Sequence, residues 1–164
     1  MTHTGWSRAA LAATVLVPLL ALGQNPETVA YPQGYRDWTH VKSMVILDGH
    51  EHFEAFGGFH HVYANELALA ALKDGKPFTK GSVLVFDLRE AISANHAVTE
   101  GPRLVVGVME KDVERFADTA GWGFEDFRIQ GDARERAVTN AQEQCLSCHM
   151  SRKTSDYVYS KYRE

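Results

Sequence analysis

The sequence predicts an α+β fold that is mainly β: an antiparallel sheet flanked by short helices, with a C-terminal helix carrying a cofactor-attachment motif. Three observations predict it. Segments rich in β-branched and aromatic residues recur along the middle of the chain, most clearly Ser82 to Leu88 (SVLVFDL) and Leu104 to Met109 (LVVGVM). The helical stretches between such segments are short. The run Cys145-Leu146-Ser147-Cys148-His149 lies at the end of the last helical stretch.

The elements follow in order. Residues Met1 to Ser7 are polar, Arg8 adds a positive charge, Ala9 to Leu22 are apolar, and Ala21-Leu22-Gly23 offers small residues for cleavage. Residues 1–23 therefore read as a secretory signal peptide cut before Gln24, too short for a membrane span and interrupted by Pro18. No cysteine follows the run, which excludes lipid anchoring there. Residues 24–164 are then one domain, expected in the periplasm with no membrane attachment after cleavage. Within it, Val41 to Leu47 and Phe59 to Tyr63 read as strands. Asn65 reads as the N-cap of a helix over Glu66 to Asp74, closed by Gly75. After Ser82 to Leu88 and Leu104 to Met109, an amphipathic helix is predicted over Lys111 to Thr119. Trp122 to Ile129 alternates as a strand does, and Ala137 to His149 is the helix that delivers the motif. Five β-rich segments cannot be fitted into a four-helix bundle.

The motif has a chemical reading. C-x-x-C-H is the attachment sequence of a c-type haem: two thiols reach the two vinyl groups of one porphyrin, and the adjacent histidine becomes the proximal iron ligand. Cys145 and Cys148 are the only cysteines in the chain. A zinc site would need two more ligands, and His60 and His61 point to opposite faces of a strand. His50 and His52 sit in a polar loop. Met44 and Met109 are the candidates for a sixth iron ligand, which would make the protein an electron carrier; Met150 follows His149 directly and lies on the wrong side. With 17 basic against 21 acidic residues, the chain carries a net charge of −4, which gives no footprint for nucleic acid.

The chain resembles the cytochrome P460 family, including its cytochrome c′-beta branch. The residues that carry the resemblance are YPQGYRDWTHVKSMVI, HHVYAN, LKDGKPFTKGSVLVFDL and LVVGVMEKDVERFADTAGWGFEDF, followed by CLSCH and a short tail. The resemblance implies a mainly β homodimer with one covalent haem c per chain and a five-coordinate iron. It also implies an activity: oxidation of hydroxylamine at the iron, with non-enzymatic nitric oxide binding as the alternative. Members with a lysine cross-linked to the porphyrin oxidise hydroxylamine and pass electrons to a soluble cytochrome c. The c′-beta members lack that bond and bind nitric oxide. The lysine-bearing segment matches Leu72 to Gly81, with Lys73 as the choice and Lys76 and Lys80 as neighbours; the plain reading of Lys73 is a cation in the last turn of a helix.

Hydroxylamine oxidation needs a proton acceptor. Asp87 is the candidate, since under period two it shares a face with Val83 and Val85; an ion pair with Arg103 is its plain alternative, and Glu90 and Glu100 are less specific. Phe56, Phe59 and Phe78 are the candidates to line the cofactor's distal side, against the common fate of phenylalanine in a core.

Overall fold

In the computed structural model, the residues described are Met1 and 28–163. The predicted signal segment and its cleavage position lie outside them. Six strands form one antiparallel sheet in the order of the sequence: β1 (Thr39–Ile46), β2 (Gly58–Ala64), β3 (Val83–Ala94), β4 (Ala97–Lys111), β5 (Trp122–Gln130) and β6 (Ala133–Arg136). The fold is α+β and mainly β, with short helices as expected.

Register decides what each face carries, because side chains alternate across a strand. Ala64 pairs with Leu84, Leu84 with Met109 and Met109 with Phe124. One step along, Val62 pairs with Phe86, Phe86 with Gly107 and Gly107 with Asp126. These two rows share a face. The intervening row, Tyr63, Val85, Val108 and Glu125, points the other way.

The first face is covered by α2 (Glu66–Asp74) and by the C-terminal helical region, which bury Ala68, Ala71, Phe78, Leu146 and Val158 against Leu84, Trp122 and Phe124. The second is covered by the segment before β1: Val29 and Tyr35 pack with Val85, Val106, Val108, Phe116 and Phe127, and Tyr31 and Trp38 close the edge.

Helix α2 forms as the sequence predicts. The Asn65 side chain accepts from the Ala68 N–H at 2.9 Å, and Gly75 ends the helix at φ 62°, where a Cβ would be strained. The helix predicted over Lys111 to Thr119 is absent. Lys111 instead ends β4, and only Ala117–Thr119 form a 3-10 turn. The Asp112 carboxylate accepts from the Glu114 and Arg115 N–H groups at 3.1 and 3.2 Å, as a helix N-cap does, but the chain leaves the helical path and reverses at Ala120, left-handed at φ 59°. The β3–β4 hairpin also runs beyond the predicted strands, turning at Asn95 and His96, both left-handed at φ 51° and 60°, as a two-residue hairpin turn requires. The short helix α1 (Phe53–Phe56) and strand β6 were not predicted. Among the described residues, no helix is long and apolar enough to cross a membrane.

Candidate functional site

The C-terminal motif begins in a π-helical turn, Gln142–Leu146, continues through α3 (Ser147–His149) and passes into a 3-10 segment, Met150–Ser155. The predicted helix is therefore present but starts five residues later than Ala137. Asn140 caps it, accepting from the Glu143 N–H at 3.2 Å. On a helical surface, positions i, i+3 and i+4 are neighbours. Cys145, Cys148 and His149 have that spacing, so two thiols and an imidazole rise from one side of one element. Neither cysteine is in a disulfide.

The three groups differ in environment. Cys148 is exposed and Cys145 half-buried. Burial, helped by Asp126 and Glu125, pushes the Cys145 thiol up to about 12. His149 lies between Phe124 and Tyr159, with ring centroids at 5.2 and 5.1 Å. Its Nδ1 is 2.6 Å from the Tyr157 carbonyl oxygen, which can only accept, so Nδ1 carries the proton and Nε2 the free lone pair. Burial lowers the imidazole's pKa and favours the neutral ligating form. Beside Tyr159 lies a shallow cleft lined by Lys42, Met44, Lys161 and Arg163, whose three cations suit carboxylates such as haem propionates. Two free thiols, a neutral imidazole fixed in one tautomer and a basic cleft are a donor set that fits haem.

The sheet face next to this motif is largely apolar, and the Phe86 ring lies directly over its backbone. Gly107 sits at its centre; a Cβ there would come within 2.0 Å of the Phe86 ring and 2.8 Å of an Asp126 carboxylate oxygen. Phe86 is flanked by His60, stacked at 5.4 Å, and by Phe56, edge-on at 6.4 Å. The His60 Nε2 donates to the Phe56 carbonyl at 2.6 Å, and burial lowers that imidazole's pKa. Asp126 is mostly buried, and desolvation with Glu125 nearby raises its carboxyl to about 6.

The predicted site residues divide between the two faces. Phe56 reaches the motif's face. Phe59 stacks on His61 at 5.9 Å on the opposite face, and Phe78 is buried in the core edge-on to Trp122 at 5.2 Å. Asp87 is fully buried on the far side: it accepts from Arg103 at 2.6 and 2.9 Å and from the Tyr35 hydroxyl at 2.8 Å. The ion pair with Arg103 is the plain alternative of the sequence reading. Lys73 is exposed in the last turn of α2 with its ammonium 5.2 Å from the Tyr162 ring centre. Lys76 pairs with Asp74, and Lys80 with Asp112 and Glu114. Of the two methionines, Met109 packs in the core and Met44 lies at the exposed sheet edge. His60 and His61 do face opposite ways, and no cluster of three metal-ligating side chains occurs among the described residues. Phe86, Gly107 and Asp126 were missed. Strict alternation was their signal, for Phe86 sits between Val85 and Asp87, and Asp126 is two residues from Phe124.

A search of curated proteins found no match. The family model described as Cytochrome P460 matches residues 32–160, a span that runs from the segment covering the far face, through all six strands, to the tail beyond His149. The chain belongs to the Cytochrome P460 family and is a haem-binding cytochrome.

Proposed function

We propose that the protein is a periplasmic c-type cytochrome that binds nitric oxide or a similarly small neutral ligand beneath an apolar cap. Haem is attached through Cys145 and Cys148, with His149 as its one protein ligand to iron. When bound, the cofactor supplies an iron with a vacant coordination position. The chain's own residues do the rest. The Tyr157 carbonyl orients His149. Phe86, Phe56 and the surrounding aliphatic side chains exclude water and anions from the sheet face. The observation that carries this reading is the apolar face around Gly107, to which neither Lys73 nor Asp87 contributes.

Hydroxylamine oxidation, with Lys73 bonded to the porphyrin and electrons passing to a soluble cytochrome c, is the second reading. Asp126 is the observation in its favour: a buried acid titrating near 6, on the motif's own face, is suited to accept a proton from a bound nitrogen compound. In either case the resemblance supports a homodimer.

The test is a paired assay on purified haem-loaded protein. Nitric oxide should bind stoichiometrically, and hydroxylamine should give no sustained reduction of an added soluble cytochrome c. Sustained turnover that disappears in Lys73→Leu contradicts the first reading and establishes the second.

A further inference from the structure

We propose that Asp156, together with Lys111, is a positioning device for the proximal histidine. The inference rests on the reading of His149 as the iron's protein ligand.

The observation is a backbone held where side-chain-bearing residues rarely stay. Asp156 (φ 49°) and Tyr157 (φ 66°) are consecutive left-handed residues, and neither is glycine. Such a conformation persists only where the surroundings impose it. Here three separate parts of the fold converge on Asp156. One carboxylate oxygen accepts from the Phe78 N–H at 3.0 Å, in the loop after α2. The other accepts from the Lys111 ammonium at 2.8 Å, at the end of β4. The Asp156 carbonyl accepts from the Trp122 indole N–H at 2.9 Å, at the start of β5. Lys111 is itself 6% exposed and lies 4.8 Å from the Trp122 ring centre, so this is a desolvated pair and not a surface one.

The consequence appears one residue on. Tyr157 has no freedom of its own: its N–H donates to the Arg152 carbonyl at 2.8 Å, and the Ser155 hydroxyl ties down the carbonyl of Val158 at 3.0 Å. The Tyr157 carbonyl is thereby aimed at His149 Nδ1, eight residues back. That hydrogen bond sets how much electron density the imidazole gives to a metal at Nε2. The clamp links the rigid sheet to the ligand's basicity, which is a lever on iron chemistry.

A clamp that only stabilises the fold would leave the ligand's electronic character unchanged, so the test reads that character. Resonance Raman of the ferrous haem protein gives the iron–histidine stretch, and redox titration gives the midpoint potential. Asp156→Ala should lower the stretching frequency and raise the potential, because a weaker Nδ1–H···O bond makes His149 a poorer donor. Should Asp156→Ala fail to fold, Lys111→Met leaves the Phe78 contact in place and should move both readouts the same way, while Lys111→Arg should return them part-way. Arg103→Met breaks a comparable buried ion pair with Asp87 on the other face and should leave both unchanged. Unchanged stretch and potential in folded Asp156→Ala or Lys111→Met overturns the proposal, as does an equal shift in Arg103→Met. If the wild-type stretching band survives in His149→Gly, the proximal assignment itself is wrong and the proposal falls with it.

Discussion

The two faces of the sheet differ in one buried acid. On the far face every buried acid is neutralised: Asp87 is held by Arg103 and Tyr35, with Arg36 at 3.6 Å, and Glu125 is held by Arg136. On the motif's face Asp156 is likewise paired with Lys111, but Asp126 lies in a largely apolar setting, and no hydrogen bond to its carboxylate occurs among the described residues. The far face closes over its own N-terminal segment; the near face has an aromatic ring across a glycine and a basic cleft at its edge. A surface built for stability pairs its charges, whereas a surface built to receive a partner leaves groups waiting for it.

The largest effect expected from this contrast comes from opening a closed pair. Arg103→Met leaves Asp87 buried without its bidentate partner and should cost about 3 kcal/mol in chemical denaturation, while the remaining folded protein still binds nitric oxide normally. A loss of ligand affinity in the folded fraction would mean that the two faces are coupled.

Next is Asp126, with the opposite sign. Its carboxyl titrates near 6 in the fold and near 4 when unfolded, so the native state binds the proton more tightly. Stability from this group is full below pH about 4 and is lost as pH rises through about 6. Asp126→Asn should therefore stabilise the protein above pH 6, by up to about 3 kcal/mol, and change nothing below pH 4. Equal unfolding curves for both proteins at pH 7.5 would show that the acid is satisfied.

Crowding the Phe86 ring should have an intermediate effect. Gly107→Ala drives a methyl group into the Phe86 ring and should cost about 1–3 kcal/mol while slowing nitric oxide binding. Unchanged association kinetics would place the ligand elsewhere. The smallest effect is that of Lys73→Leu, an exposed cation whose ring contact and helix-end position are together worth less than about 1 kcal/mol. A collapse in stability or haem content would show that Lys73 does more than the contact with Tyr162 indicates.

What the sequence made legible was local. Helix α2 could be read whole, because Asn65 and Gly75 mark its ends by their own chemistry. Strand cores were legible from β-branched runs, and the haem motif from its spacing. The region after Lys111 was not: the periodicity of KDVERFADT is helical and Asp112 caps as at a helix start, yet the chain turns away and is left-handed at Ala120. The β3–β4 arms were hidden because His96 stands where a hairpin turn usually has glycine. The site was legible only in part for a different reason. Alternation tells which residues share a face, and Asp87 does share one with Val85. It does not tell which face the C-terminal helix will cover, and that packing decision put Phe86 and Asp126 at the site and Asp87 and Phe59 behind it.

An open iron position under an apolar face, with no third tether to the porphyrin, has a direct optical signature. The spectrum of the reduced protein, taken before and after nitric oxide is added, should be that of an ordinary high-spin c-haem that changes completely on addition of one equivalent, identically in wild type and Lys73→Leu. A strongly red-shifted band in the reduced wild type that reverts to an ordinary c-haem spectrum in Lys73→Leu would contradict it.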